Sequence, residues 1–256
     1  MEAQGFEPLT DPEWQVIHPL LELKARRRKC PLRSVLDAIR YMGRTCCQWR
    51  NLPSCFPHWS AVYYYFRLWQ GSGLWKRLNQ SLVEGDRLRA GSSALPTRML
   101  LDSQSVKLAP RIFEDRGTDG AKHVNGRKRH ILTDSHGRIL ACAVTAANCH
   151  DSPSAARRFK LDLERMRPKE VLTDKGYRGT FARLAAELGV GHRLAQRPPS
   201  ERGFVPEGGR WPVKRTFAWM NFYRRLTLDH EHTTASHEAF IYIFNICIML
   251  NRLTDS

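Results

Sequence analysis

The chain has 256 residues and carries 41 Lys and Arg against 25 Asp and Glu, a formal net charge of +16. That length allows one large domain or a small and a medium one, and a basic surplus spread along the whole chain points to a polyanionic partner, most simply nucleic acid. A membrane surface fits less well, because no basic amphipathic helix with a clean apolar face is present. The seven cysteines form no CxxC pair and no signal peptide is visible, so reduced thiols in a cytosol are expected.

In chain order, Asp11 with Pro12 is expected to start a helix whose apolar face is Trp14, Ile17, Leu20 and Leu21. The run Lys24, Arg26, Arg27, Arg28 and Lys29 is either a solvated face or a phosphate contact. Pro31 opens a second helix with Leu32, Val35, Leu36, Ile39 and Met42 at helical spacing. An aromatic-rich helix over Trp59 to Trp69 and a last helix near Leu74 to Val83 complete a helical unit over residues 1–90. A unit of this kind fits a helix-turn-helix type DNA binder, with most of its aromatics in the core. Glu84 to Pro96 is polar and bears Gly and Ser, the composition of a linker.

Beyond it, Met99, Leu100 and Leu101 form a short apolar run closed by Asp102, as in a strand buried on both faces. Ala109 to Gly126 is charged and glycine-containing and reads as a mobile loop. Lys128–Thr133 and Arg138–Thr145 flank Ser135-His136-Gly137, a hairpin signal. Ser152 with Pro153 is expected to cap a helix running to about Arg165. Glu170 to Arg178 repeats the earlier design, an apolar run ending in Asp174 and a Lys-Gly turn. A helix near Phe181–Leu188, a strand near His192–Ala195, a loop over Arg197–Gly209 and a helix from Pro212 to Leu226 follow. Phe240 to Leu250 is too short to span a bilayer and is broken by Asn245, so it reads as a buried core helix. The order implies a mixed sheet with flanking helices, of α+β or α/β class.

Asp102 and Asp174 can meet if their strands are neighbours. A close carboxylate pair suits a hard cation such as Mg²⁺, and metal pairs of that kind serve phosphodiester chemistry. His230-Glu231-His232 lacks the spacing of a zinc motif, since position 234 is Thr. His150-Asp151 is either catalytic support or an ordinary helix start.

LTDPEWQVIHPLL, CQWRNLP, FPHWSAVYYYFRLW, LLDSQSVK, KRHILTDSHG, ANCHDS, VLTDKGYRG and RTFAWMNFYRRL, from Leu9 nearly to Leu253, resemble bacterial insertion-sequence transposases of the DDE type, insertion sequence 5 group. The resemblance implies a ribonuclease-H-like catalytic domain over 97–256 behind the helical DNA-binding domain. It also implies two Mg²⁺ or Mn²⁺ ions and double-stranded DNA as partner, both terminal inverted repeats and target. A homodimer assembled on DNA and a cytoplasmic location follow in the same way. Asp102 matches the first family carboxylate and Asp174 the second. The third, a Glu in the first turn of the helix before RTFAW, is Lys214 here. Its ammonium is expected to pair with Asp102 or Asp174 and stand in for a metal ion, leaving DNA cleavage impaired. Glu201 and Glu207 in the preceding loop, and Glu231, are poor substitutes, because catalytic ligands need rigid placement. DNA contacts are expected from Arg26, Arg27, Arg28, Lys29, Arg50, Tyr177, Arg178 and Arg215. The competing reading is a non-catalytic DNA-binding regulator derived from a transposase.

Overall fold

The computed structural model describes residues 5–21, 29–195 and 209–255. Arg26, Arg27, Arg28, Glu201 and Glu207 lie outside the described residues. The N-terminal part holds α1 (Asp11–Ile17), α2 (Leu32–Thr45), α3 (Trp59–Gly71) and α4 (Leu74–Arg89). Thr10, not Asp11, caps α1. Its hydroxyl accepts from the Glu13 amide while the Glu13 carboxylate accepts from the Thr10 amide. That reciprocal box needs an acid three residues after the cap, and only Thr10 has one there.

Helix α4 runs six residues beyond the expected end at Val83. Two of the polar residues that suggested a linker are interior. Asp86 and Arg87 are buried, Arg138 Nε lies 2.5 Å from Asp86 Oδ2, and Arg87 Nη1 lies 2.5 Å from Asp134 Oδ2. Paired charges can occupy a core face that composition alone assigns to solvent.

The sheet contains β1 (Arg98–Lys107), β2 (Gly117–Asp119), β3 (Val124–Asp134), β4 (Ile139–Ala146), β5 (Glu170–Thr173) and β6 (Gly191–Leu194). β3 is antiparallel to β1, β4 and β2. β1 is parallel to β5, and β5 to β6. The order across the sheet is therefore β4-β3-β1-β5-β6, with β2 paired to the first residues of β3, Val124 to Gly126. This is the mixed architecture expected from the element order. The region read as a mobile loop, Ala109–Gly126, contains the edge strand β2 and the start of β3.

Helices α5 (Asp151–Met166), α6 (Thr180–Glu187), α7 (Trp211–Met220) and α8 (Thr234–Thr254) flank the sheet. Ser152 does not cap α5. Its hydroxyl accepts from the Phe181 amide and donates to the Tyr177 carbonyl, which ties α5 to the turn after β5. α7 ends at Met220 rather than Leu226, and a separate single turn covers Arg224–Leu226.

α8 is not a satellite of the sheet. It packs on β4 and on α1, α2, α3 and α4 alike. Phe240 stacks on Phe66 with centroids 5.1 Å apart, and Asn245 Nδ2 donates to Asn79 Oδ1 at 2.6 Å. Asn79 in turn donates to the Ile139 carbonyl of β4. One continuous apolar core runs from Leu9 to Leu250. The helical unit and the sheet domain thus share a core rather than meeting across a linker.

The tip of the β3–β4 hairpin anchors α7. Gly137 has φ +81°, and a Cβ there would lie 2.8 Å from Thr216 Oγ1 and 3.1 Å from the Pro212 carbonyl. Glycine permits both the left-handed turn and the close approach. The hairpin carbonyls of Gly137 and His136 then accept from Thr216 Oγ1 and Arg215 Nη2, each at 2.8 Å.

Candidate active site

β1 and β5 are neighbours, with Leu100 opposite Leu172. Two residues further on each chain stand Asp102 and Asp174. Asp102 is buried within β1. Asp174 is half-exposed just past β5 and caps the turn Lys175–Tyr177, its Oδ1 accepting from the Gly176 amide at 2.8 Å. One nitrogen bridges the pair. Arg210 Nη2 is 2.6 Å from Asp102 Oδ2 and 3.4 Å from Asp174 Oδ2. Arg210 is the N-cap residue of α7 and is itself buried. Lys214, a turn further along α7, is exposed. The cation at the carboxylates is therefore Arg210 and not Lys214, as the sequence suggested. The reason is geometric: the helix start, not its first full turn, faces the strand tips.

A third carboxylate borders the pair. Asp151 Oδ1 accepts from Ser103 Oγ at 3.0 Å and lies 3.1 Å from Lys128 Nζ. Ser103 also gives its amide to Asp102 Oδ1 at 2.9 Å. A Cβ on Gly176 would sit 3.0 Å from Asp174 Oδ1 and 3.2 Å from Asp151 Oδ2, so the two acids flank the same small residue. Tyr177 is buried among them, its hydroxyl 3.4 Å from His130 Nδ1. Burial, then the charges of Asp151, Asp102 and Asp174, push its phenol far above the usual range. Burial raises the Asp102 carboxyl more than Arg210 lowers it. Burial also pushes His130 down to about 4, so the ring is neutral at physiological pH.

Comparison with known proteins adds the family. The model described as "Transposase DDE domain" matches residues 93–251. The chain belongs to the DDE transposases of insertion sequences. A second model, "Putative transposase of IS4/5 family", matches residues 9–79. The transposase is 32% identical over 180 residues to the "Putative transposase for insertion sequence element IS402" of Burkholderia cepacia, covering 64% of this chain and 82% of that one. It is 35% identical over 111 residues to the "Insertion element IS402 uncharacterized 16.2 kDa protein" of the same organism, covering 40% and 74%. The ribonuclease-H-like expectation for the sheet domain goes with the DDE model.

The family works with divalent metal ions, and the residues of this transposase fit such a site poorly. Among the described residues, no three His, Cys, Asp or Glu converge on a point where an ion could sit. Two carboxylates face each other, but a guanidinium occupies the place between them, and Asp151 is turned to Lys128 and Ser103. Hard divalent ions take several oxygen ligands, and a pair of ions needs more carboxylate than Asp102 and Asp174 provide.

The expected DNA contacts separate into three groups. Lys29, Arg50 and Arg178 are exposed, Arg50 lying over the Trp59 ring at 5.0 Å. Tyr177 is fully buried, which corrects its reading as a DNA contact: its ring packs edge-on against Phe181 inside the domain. Arg215 is held between the rings of Trp211 and Trp219, 4.5 Å from each, and braces the hairpin through the His136 carbonyl. Arg210 was missed. It follows a Gly- and Pro-rich stretch of sequence, where nothing in spacing announces a bridging role. The one local signal is its place immediately before Trp211-Pro212, a helix start.

Among the described residues, no helix is long and apolar enough to cross a membrane.

Proposed function

We propose that this transposase binds the terminal inverted repeats of its element as double-stranded DNA and assembles there as a homodimer. We place it in the cytoplasm, where its DNA lies, and expect it to cleave DNA ends very poorly. The observation that carries the last point is position 214. The helix expected to bring a third carboxylate carries the exposed Lys214 there instead, and the pair itself is bridged by the Arg210 guanidinium. With no third carboxylate and a guanidinium 2.6 and 3.4 Å from the two aspartates, the misplaced charge costs roughly several kcal/mol at intermediate dielectric. Each 1.4 kcal/mol or so is about a factor of ten in rate, so a loss of several orders of magnitude is expected.

The test is end cleavage of a labelled inverted-repeat duplex with Mg²⁺ or Mn²⁺. Lys214→Glu should restore cutting, and Asp102→Ala in that background should abolish it. Lys214→Met should not rescue, because removing repulsion supplies no ligand. If the protein with Lys214 cuts as fast as its Glu variant, position 214 has been misassigned. The same lysine supports the second reading, a DNA-binding regulator, which would retain repeat binding while Lys214→Glu remains inactive.

A further inference from the structure

We propose that the cavity between α4, α5, α8 and β4 binds the phosphate group of a small molecule, held by the first turn of α4, the Trp75 indole N–H and the Arg157 guanidinium. The cavity has a volume of about 350 Å³, within the ~300–1,000 Å³ range of small-molecule pockets. None of Asp102, Asp174 and Arg210 lines it, so it is separate from the carboxylate pair. Its lining comes from both parts of the chain: Gly73, Trp75 and Lys76 of the helical unit, Arg157 and Arg158 of α5, and Tyr242 of α8.

The lining is short of acceptors. Trp75 is only 3% exposed, and its indole N–H has no partner. A buried donor without an acceptor is costly, and native structures leave few of them. The helix that carries Trp75 opens on Gly73, which is in the left-handed region at φ +71°, and no side chain caps it. Its first amides and the positive end of its dipole are left for an outside anion. Charge agrees. Lys76, Arg157 and Arg158 stand against two carboxylates, Asp162 and Glu238. Lys76 Nζ is 2.7 Å from Asp162 Oδ1, and Arg158 pairs with Glu238. Those pairs fix their cations. Arg157 is exposed and, among the described residues, pairs with no acid. A planar guanidinium matches a phosphate through parallel N–H donors. Gln70, also in the lining, gives its Nε2 to Ser236 Oγ at 3.2 Å, while its Oε1 is buried without a partner. That oxygen is an acceptor for a hydroxyl on the body of the ligand, which makes a sugar phosphate a better match than bare phosphate.

The experiment titrates the full chain with inorganic phosphate and with ribose 5-phosphate by calorimetry, in ~0.15 M chloride so that exposed charges are screened. Saturable one-to-one binding of ribose 5-phosphate is expected, tighter than about 1 mM. Arg157→Gln and Trp75→Phe should each weaken it about ten-fold, because hydrogen bonds to a charged group are the strong ones. Lys160→Gln removes a cation from α5 outside the cavity lining and should change the affinity less than about two-fold. Trp75 is a core residue, and should Trp75→Phe not fold, Arg157→Gln decides, since its side chain is exposed. Inorganic phosphate that binds as tightly as the sugar phosphate, with the same dependence on Arg157, makes free phosphate the occupant and keeps the site. Saturable binding of neither probe overturns the proposal, as does a loss in Lys160→Gln equal to that in Arg157→Gln. A last arm adds a labelled inverted-repeat duplex to the loaded protein. A duplex that displaces the sugar phosphate would make the occupant a DNA phosphate and overturn the assignment to a small molecule.

Discussion

Arg127 and Asp229 form an ion pair closed to solvent: Nη1 lies 2.9 Å from Oδ2 and both side chains are 0% exposed. Arg127 also donates to the carbonyls of Glu114, Glu231 and His232. One guanidinium on β3 therefore fixes the segment before β2 and the segment before α8. Arg127→Met should destabilise the fold by about 3–5 kcal/mol, because it takes the guanidinium from a buried carboxylate and leaves it only His237 as a side-chain partner among the described residues. Urea unfolding measures it, and a loss under about 1 kcal/mol would mean that the pair is only packing.

Asp229 also predicts acid behaviour. Burial alone would raise its carboxyl, but His237 and Arg127 outweigh burial and hold it at about 2 against an ordinary 3.8. A depressed carboxylate stabilises the fold above its unfolded value, and the contribution is lost as pH falls through its folded value. The window is pH 3.8 down to about 2, worth about 2 kcal/mol at 1.36 kcal/mol per unit. Asp229→Asn should flatten the stability–pH curve in that window and leave it unchanged above pH 5.

His130 acts in a separate window. Its folded value, about 4, lies below the ordinary 6.5, so the fold prefers the neutral ring. The unfolded chain binds the extra proton between these values, and stability falls with acid from pH 6.5 to about 4. His130→Gln should remove a slope of one proton from that range. An unchanged slope in denaturant titrations at several pH values would show that His130 is already charged in the fold.

Residues 1–90 should not fold alone. Their helices close on Phe240, Ile243 and Leu250 of α8, and Asn79 loses both Asn245 and Ile139 in a fragment. An isolated fragment should bind a hydrophobic dye and melt without a cooperative transition. A sharp calorimetric peak from the fragment would show that α8 is dispensable to it.

DNA affinity should depend on the exposed cations and not on the buried ones. Arg50→Ala and Arg178→Ala should each reduce the slope of log affinity against log salt by roughly one. Tyr177→Phe should leave both affinity and slope unchanged, since the phenol does not reach the surface. A loss of DNA binding on that change would contradict the buried position.

The carboxylate pair was legible because each aspartate closes an apolar run, a pattern that survives without knowledge of pairing. The sheet class followed from the spacing of the runs. What was illegible was the destination of charge. Lys128, Arg129 and His130 stand together in β3, yet Arg129 donates to Gln104 and the Leu226 carbonyl and lies under Phe217. Arg127 and Arg129 are two residues apart, on one face of a strand buried along nearly its whole length. Period-two arginines inside an apolar strand were the available signal, but their acceptors lie about a hundred residues downstream or across the sheet. Arg210 escaped for the same reason. Its partners are set by strand adjacency and by the left-handed Gly209 before it, neither of which a local pattern records.

The seating of α8 against α1–α4 imposes an order on synthesis. A ribosome delivers the four N-terminal helices early, but the apolar surface they must close on arrives only after every strand of the sheet has been made. Through that interval the helices have each other and no lid. Chaperone occupancy of the nascent chain should therefore rise early and fall only once Leu250 has emerged. A copy of the gene interrupted anywhere within the sheet should therefore yield no folded helical unit, because α8 would never be made.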